Sequence, residues 1–190
     1  GVYQREDTVI WSLDKDLRQI PGKHLDDATQ KVIEVSEIGR LEDRGKKVYF
    51  DGTIGLYYQM LIGDSTDHII GCGIRTEMVY KSGAKKGQKY LKRVGVGPKE
   101  ALGILTKVAM ENPTNVLEAS LEAVRDEYRT RFEDRWQEQL ETQANLLFMV
   151  RYQDGEIIRR WTHDGREEYF DLIEGVIIHI SAPCAVVVLL

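Results

Sequence analysis

Residues 61–71 read Leu-Ile-Gly-Asp-Ser-Thr-Asp-His-Ile-Ile-Gly and join a helical pattern to a pair of carboxylates. Before this stretch, apolar side chains recur at the spacing of a helix, which predicts a helix over residues 53–62. Gly63 breaks that pattern. Asp64 and Asp67 follow, three residues apart, and a helical turn here would place both side chains on one face. The stretch therefore predicts a helix that ends at two acidic side chains.

A second pair of carboxylates, Asp14 and Asp16, follows the apolar run of residues 8–13. That run has the length and composition of a β-strand, and ligands bind at the carboxyl ends of strands in α/β sheets. If the two pairs meet, they form an all-oxygen site, which suits Mg²⁺ or Mn²⁺ better than Zn²⁺. Such sites typically promote in-line phosphoryl transfer. The alternative is that each pair only forms a solvated turn or caps a helix.

Glycines surround the next predicted helix start. Gly71 and Gly73 lie before a lysine-rich segment, and Gly95 and Gly97 lie after it, where a helix opens at Pro98. Glycine lets a backbone approach a partner closely, and a helix N-terminus presents free N–H groups to an anion. These features favour a phosphate of a nucleic-acid backbone as the ligand. The alternative is an ordinary corner between two helices, with glycines used for packing.

The lysine-rich segment covers residues 74–93. Tyr80 and Tyr90 are interleaved with its basic residues, and Glu77 is its single acid. In a chain that is net acidic, this concentration of positive charge favours sequence-independent contact with phosphates. The alternative is a solvated, flexible loop. The basic residues of the segment, with the one that follows it, are Arg75, Lys81, Lys85, Lys86, Lys89, Lys92, Arg93 and Lys99.

Composition limits the classes of protein to which the chain can belong. It has 190 residues, of which 42% are hydrophobic and 30% charged, and its net charge is −5, as is typical of a folded globular protein. The net charge excludes a globally basic nucleic-acid binder. Two cysteines cannot build a disulfide framework, and early charged residues argue against a secretory signal. We therefore expect a cytoplasmic protein that does not enter a membrane.

The rest of the chain contains further predicted elements. Two short strands flank a charged turn at residues 39–45. A long amphipathic helix over residues 116–145 carries an apolar stripe that we assign to core packing. Asp154 and Gly155 predict a hairpin turn. The predicted strands are residues 31–35 and 46–50, which flank the charged turn, and residues 146–152, 157–161 and 176–180. A further helix is predicted from 98 to 110.

Three stretches resemble the motifs of one family, both in their residues and in their order along the chain. Residues 12–20, Ser-Leu-Asp-Lys-Asp-Leu-Arg-Gln-Ile, resemble its GDKD…QL segment, and residues 61–71 resemble its GDxxDNIPG. Residues 94–101, Val-Gly-Val-Gly-Pro-Lys-Glu-Ala, resemble its GVGPKTA. Residues 8–150 thereby resemble the 5′→3′ exonuclease and flap endonuclease superfamily, above all the bacteriophage exonucleases and the 5′-nuclease domain of bacterial DNA polymerase I.

The resemblance implies an α/β fold in three parts. The C-terminal part of a PIN-like nuclease core would occupy residues 1–52. A helix–three-turn–helix DNA-binding element with the basic insertion and a long C-terminal helix would occupy residues 53–150. Residues 151–190 would form a C-terminal hairpin or tail with no assigned role.

The family's functional residues carry over to this sequence at matching positions. Asp14 and Asp16 match its second acidic cluster, and Asp64 and Asp67 match the acidic pair that opens the helix–three-turn–helix. The resemblance implies that these four residues bind Mg²⁺ or Mn²⁺ and are catalytic. Lys99 would lie near a DNA phosphate. The glycines that match the turn, which in the family holds the duplex backbone and often a K⁺ ion, are Gly71, Gly73, Gly95 and Gly97.

The resemblance implies a metal-dependent phosphodiesterase that acts on 5′ ends, nicks or flaps of DNA or RNA–DNA, in replication or DNA degradation. The sequence departs from the family at residues 68–70, His-Ile-Ile for Asn-Ile-Pro, and by the insertion at 74–93, which we interpret as an additional DNA-contacting loop. The family's first acidic cluster would precede Gly1, so an N-terminal companion chain is an expected partner. The alternatives are a non-catalytic DNA-binding module and a subunit of a phage replication complex.

Overall fold

The computed structural model describes residues 8–27, 29–149, 151–153, 156–162, 164–165, 167–170 and 186–189. Within these residues the chain is a mixed α/β protein with four α-helices and several small β-sheets. The strands are β1 (Thr8–Trp11), β2 (Gly22–Asp26), β3 (Lys31–Val35), β4 (Arg40–Asp43), β5 (Val48–Asp51), β6 (Gly73–Val79), β7 (Lys89–Gly95), β8 (Arg151–Gln153), β9 (Glu156–Trp161), β10 (Glu167–Phe170) and β11 (Val186–Leu189). The helices are α1 (Gly52–Ile62), α2 (Pro98–Glu111), α3 (Val116–Phe132) and α4 (Trp136–Leu147), with 3₁₀ turns at Lys15–Gln19 and Glu133–Arg135.

The largest sheet has the strand order β11–β1–β2–β3. β1 runs parallel to β2, whereas β11 pairs with β1, and β3 with β2, in antiparallel fashion. The other sheets are β10–β9–β8 and the two hairpins β4–β5 and β6–β7. Because β1 and β2 are parallel, the chain has to cross from the end of one to the start of the other. This connection contains the first pair of carboxylates.

Helix α1 is buried on all sides and lies at the centre of the core. Leu56, Met60 and Leu61 expose 1% or less of their surface. The helix contacts β4, β5, α2, α3 and α4, and a helix that is apolar all round needs neighbours on every face. Tyr128 of α3 donates a hydrogen bond of 2.8 Å to the carbonyl of Met60. The C-terminal end of α1, where the acidic stretch begins, is therefore held in the interior.

The segment after α1 folds back on itself through two glycines. Gly63 (φ 74°) and Gly71 (φ 58°) both have the left-handed backbone that favours glycine. Between them, Asp64 and Ile69 exchange two backbone hydrogen bonds of 2.8 Å. The Gly71 N–H then donates to the side-chain oxygen of Gln143 on α4 at 3.0 Å. These bonds close a short loop at the end of α1.

Local patterns predict several elements correctly and miss several strands. The structure confirms strands within 8–13 and at 31–35, and helices close to 53–62 and 98–110. β2 is not predicted, and β4 lies inside the predicted charged turn at 39–45. β4 pairs with β5 along its whole length, so charged side chains do not prevent a strand here. Alternate positions of a strand can face water, and this pattern resembles that of a turn.

The single long helix predicted over residues 116–145 is wrong, because the chain leaves the helix at Glu133 (φ 49°). α3 ends at Phe132 and α4 begins at Trp136. One helix of roughly 30 residues would be about 45 Å long and would extend far from the core. The break lets α4 pack against both α1 and α3, and Leu140 of α4 is fully buried as a result.

The basic segment at 74–93, interpreted from the sequence as a loop, is instead the β6–β7 hairpin. Its residue pairs run from Gly73 opposite Gly95 to Val79 opposite Lys89. β-branched and aromatic residues recur along both strands, and such residues stabilise a pleated ribbon. The hairpin therefore presents its lysines from an ordered scaffold.

The hairpin predicted around Asp154 corresponds to the antiparallel pair of strands β8 and β9. Its turn residues, Asp154 and Gly155, lie outside the described residues, as does the strand predicted at 176–180. No helix in the described part of the chain combines the length and apolar character needed to cross a bilayer.

Replacing Gly71 with Ala is expected to lower the free energy of unfolding by at least about 2 kcal/mol. A Cβ there would lie 2.3 Å from the backbone N of Gly63 and 2.8 Å from the carbonyl O of Met60, so the loop would have to open. Gly97→Ala is the matched control, because a Cβ there meets nothing within 4 Å. Its expected effect is a decrease below about 1 kcal/mol. Urea unfolding measures both, and equal decreases would contradict the tight packing of this loop.

Candidate metal centre and nucleic-acid cleft

The first pair of carboxylates separates on folding. Asp14 caps the 3₁₀ helix at Lys15–Gln19 by accepting a hydrogen bond of 3.0 Å from the Asp16 N–H. Asp14 is exposed, whereas Asp16 exposes 8% of its surface. The Asp16 carboxylate accepts a hydrogen bond of 2.6 Å from the buried side-chain amide of Gln59 on α1. Asp14 thus shapes the turn, and Asp16 faces α1.

Three of the four predicted carboxylates come together at the end of α1. Oxygen atoms of Asp16, Asp64 and Asp67 lie within 4.8 Å of one another. Asp64 exposes 4% of its surface, and its Oδ1 accepts a hydrogen bond of 2.8 Å from the Thr66 N–H. Asp67 is exposed. Asp14 does not belong to this group, which is the one cluster of three or more acidic, His or Cys side chains that could share a cation among the described residues.

Lys15 neutralises part of this acidic charge. Its ammonium group donates hydrogen bonds to Asp16, at 3.2 Å, and to Asp64. Burial disfavours the charged form of the lysine, but the contacts with Asp64 and Asp16 outweigh it and raise the pKa of Lys15 above its ordinary value. The group between the two carboxylates therefore stays charged.

The pKa values of the two carboxyl groups beside Lys15 are shifted in opposite directions. Burial raises the pKa of Asp16 above its ordinary value, because hydrogen bonds from Gln59 and Lys15 offset the loss of water only in part. Burial also opposes ionisation of Asp64, but hydrogen bonds from Lys15 and the Thr66 N–H outweigh it and lower the pKa of Asp64. Asp64 therefore stays ionised to lower pH than Asp16, and Asp16 binds a proton first as the pH falls.

The donor set of the cluster fits a hard divalent cation. Carboxylate oxygens are the ligands that Mg²⁺ and Mn²⁺ prefer. Opposite ligands of an octahedral Mg²⁺ ion are about 4.2 Å apart and adjacent ligands about 2.9 Å, so oxygens within 4.8 Å of one another would have to move closer together to share it. The residues that would hold the cation are Asp16, Asp64 and Asp67. It would compete with the Lys15 ammonium group for two of them.

A cleft of about 810 Å³ leads away from Asp64. Gly97 and Lys99, at the start of α2, line the same cleft. Lys46 and Lys47, in the turn between β4 and β5, also line it and are exposed. The cleft thus combines the buried Asp64 with four lysines, since Lys15 also lines it, and with two further acids, Asp43 and Glu100. Positive charge in a cleft can attract an anionic ligand such as a phosphate.

The four glycines of the predicted turn have different surroundings. A Cβ on Gly71 or Gly95 would lie 2.3 Å from neighbouring backbone, and one on Gly73 would lie 3.0 Å from a side chain. These three therefore pack within the turn. Gly97 has open space around its α-carbon, so a phosphate could approach the backbone there. Its N–H donates to the Glu100 carboxylate at 3.2 Å, which already places negative charge at the start of α2.

Arg93 differs from the other basic residues of the hairpin because its guanidinium group faces inward. It donates hydrogen bonds to the carbonyls of Ile70 at 2.7 Å, Leu61 at 2.9 Å and Val96 at 3.0 Å. These carbonyls belong to the turn at which the resemblance implies a K⁺ ion. Since a guanidinium group already satisfies them, they do not fit a K⁺ site.

The lysines expected to bind DNA are exposed. Lys89 forms an ion pair of 2.9 Å with Glu77, and Lys85 lies over the ring of Tyr80, 5.7 Å from its centroid. Flexible, hydrated ammonium groups suit contacts with a phosphate backbone, which needs charge more than fixed geometry. The exposed lysines of the predicted set are Lys81, Lys85, Lys86, Lys89, Lys92 and Lys99.

Sequence reasoning misses four residues of the site. Lys46 and Lys47 are assigned to a strand from the sequence, although their position after Gly45 also suits a turn. Lys15 lies between the two residues of the first acidic pair, and that position is a signal that could have indicated its role. Gln59 gives no signal, because a single polar residue in an apolar helix is also compatible with an exposed face.

Replacing Lys15 with Met is expected to lower the free energy of unfolding at pH 7 by about 1–2 kcal/mol. Asp16 and Asp64 would then face each other without a positive charge. Lys107→Met is the control, since Lys107 makes an exposed ion pair of 3.9 Å with Glu111. Mn²⁺ should restore stability to the Lys15 variant more than to the wild type or the control. Urea unfolding with and without Mn²⁺ measures this, and an equal effect on all three would contradict a shared cation site.

Comparison with known proteins reveals no relative of the chain. No family model, curated protein or solved structure matches the chain. The resemblance of residues 12–20, 61–71 and 94–101 to nuclease motifs therefore rests on those residues and on their placement in this fold.

Proposed function

We propose that the chain functions as a divalent-metal-dependent 5′→3′ exonuclease or structure-specific 5′-nuclease that hydrolyses phosphodiester bonds of DNA or RNA–DNA. One observation carries the proposal: three separate stretches of sequence meet at one cleft. Asp16 of the first stretch lies within 4.8 Å of Asp64 and Asp67 of the second. Gly97 and Lys99 of the third stretch line the same cleft as Asp64. These are the stretches that resemble nuclease motifs.

The architecture supports a PIN-like core and a helix–three-turn–helix element as part of the proposal. β1 and β2 supply a parallel pair of strands, as an α/β core requires. α1 and α2 would be the two helices of the DNA-binding element, and the glycine-containing turns between them flank the β6–β7 hairpin. The hairpin would therefore lie beside DNA held by the two helices.

The chemistry that a divalent cation supplies when bound is activation of water and neutralisation of charge on the phosphate. The chain's own groups position the reactants. Gln59 holds the Asp16 carboxylate by its hydrogen bond of 2.6 Å. Lys99, with Lys46 and Lys47, would bind the phosphodiester along the cleft and reduce its freedom to move.

The proposed substrate is DNA with a 5′ end, a nick or a flap. In-line hydrolysis in two-metal sites uses a carboxylate set around each metal. The cluster of Asp16, Asp64 and Asp67 would provide one set. The other set of carboxylates would come from a companion chain or from another part of the protein. In proteins of the family that the chain resembles, this set lies in the N-terminal half.

A second candidate function is a non-catalytic DNA-binding module, such as a subunit of a phage replication complex. Lys15 favours this candidate, because its ammonium group bridges Asp16 and Asp64 and offsets their charge without a metal. The lysines of the hairpin and cleft would then bind DNA without cleaving it. The two candidates differ in whether a divalent metal produces cleavage.

Cleavage of a 5′-labelled flap or nicked duplex in Mg²⁺ or Mn²⁺ tests the nuclease proposal. Asp64→Asn should reduce the rate at least about 100-fold, because it removes the buried anion of the cluster. Asp126→Asn is the matched control, since Asp126 is an exposed carboxylate that pairs with Arg129 on α3 at 2.7 Å. Its rate should equal that of the wild type.

Metal-dependent cleavage that survives Asp64→Asn would contradict the assignment of the cluster. Salt-sensitive DNA binding without cleavage would favour the second candidate instead. In that case Lys99→Ala should weaken binding. The slope of affinity against salt should also fall by about 0.9, because the variant neutralises one phosphate fewer.

A further inference from the structure

The β6–β7 hairpin has two faces of different character. Residues that are paired across an antiparallel ladder lie on the same face. Ile74 pairs with Val94, and Met78 pairs with Tyr90, so these four share one face. The aromatic face, as we name it, consists of Ile74, Thr76, Met78, Tyr90, Lys92 and Val94, together with Tyr80, whose ring packs on that of Tyr90.

The aromatic face is apolar and yet accessible. Ile74 exposes 45% of its surface and Val94 exposes 43%. The rings of Tyr80 and Tyr90 have centroids 4.3 Å apart and are partly exposed. Contiguous exposed apolar side chains are typical of interaction sites. The opposite face also exposes two apolar side chains, Val79 (49%) and Leu91 (66%), but it has no aromatic ring, and Arg93 on that face is bonded to the turn after α1.

The same hairpin attracts negative charge. Residues 73–95 contain seven basic residues and one acid, a net charge of +6, so the rest of the chain carries −11. The acid, Glu77, lies on the opposite face, where a lysine pairs with it at 2.9 Å. Lys92 lies on the aromatic face, and Lys85 lies over the ring of Tyr80 at the tip. The aromatic face therefore combines apolar rings with positive charge and contains no acid.

These properties select one type of ligand. Duplex DNA presents phosphates but covers the faces of its bases, so it would satisfy the lysines and leave the apolar side chains in water. An acidic protein segment without apolar side chains would also satisfy only the lysines. A single strand presents phosphates and unstacked bases together. Stacking of bases on aromatic rings beside a basic surface is the general mode of single-strand binding without sequence preference.

We propose that the aromatic face binds single-stranded DNA. The inference rests on the proposed function of the cleft, and it specifies that the substrate has a single-stranded end held by the hairpin. The hairpin adjoins the loop of the acidic cluster through its opposite face, since Arg75 and Leu91 of that face line a hollow of about 370 Å³ with Asp64. A strand of seven residues is about 23 Å long, so DNA held anywhere along it stays near that loop.

Fluorescence anisotropy with a labelled oligo(dT) of about 15 nucleotides, in EDTA, tests the inference without cleavage. Tyr80→Leu combined with Tyr90→Leu should weaken binding at least about tenfold, because it removes both stacking surfaces. Tyr80→Phe combined with Tyr90→Phe keeps both rings and should bind within about twofold of the wild type.

A second measurement does not depend on the tyrosine pair. Lys92→Ala should lower the slope of affinity against salt by about 0.7, the value for one phosphate contact of a single strand. Lys107→Ala is its control, because Lys107 is an exposed lysine on α2 and pairs with Glu111. If the leucine variant fails to fold in urea unfolding, this pair of variants still decides the outcome.

Unchanged oligo(dT) binding by a folded leucine variant would overturn the inference, as would an equal loss of its affinity for a blunt duplex. Displacement of oligo(dT) by poly-glutamate of equal charge would also overturn it, by identifying a general polyanion surface. The nuclease proposal is tested by different measurements, so its failure can be distinguished from failure of this inference. Absence of metal-dependent cleavage does not affect binding in EDTA, and loss of oligo(dT) binding leaves cleavage that depends on Asp64 open to measurement.

Discussion

The close contact between the backbones of Gly63 and Gly71 is the constraint on which the rest of the structure depends. A side chain at either position would overlap the backbone on the other side of the loop. The contact closes the loop that carries Asp64, at the end of a helix that is buried on every face. It also sets the point from which the chain enters the β6–β7 hairpin. The acidic cluster and the basic hairpin are therefore placed by the same pair of glycines.

Charge compensation acts on this scaffold at two scales. Within the loop, buried carboxylates repel one another and lose hydration, and Lys15 offsets both effects for Asp16 and Asp64. The proposed divalent cation would compete with Lys15 for this role. Across the molecule, a hairpin of +6 is attached to a body of −11. Such separation favours a polyanion at the hairpin over the surfaces of the rest of the chain.

Short-range patterns predicted the parts of the fold that depend on short-range physics. Helix α1 follows from the spacing of its apolar residues, and the strands near residues 8–13 and 31–35 follow from their composition. The composition of residues 74–93 predicts a loop, because lysine and glycine are typical of loops and because pairing between the two strands is not visible in composition. The break at Glu133 was missed for a similar reason. It depends on what α4 packs against, and the apolar stripe continues across it.

The positions of acidic, basic and apolar residues follow from the sequence alone, since they are properties of single side chains and of their spacing. The tertiary structure alone decided which of those residues meet. Asp14 and Asp16 are neighbours in sequence, yet only Asp16 joins Asp64 and Asp67, because Asp14 turns to cap the 3₁₀ helix. Lys15 reaches Asp64 across 49 positions of the chain. Such contacts depend on how a buried helix packs against distant segments, which no local pattern encodes.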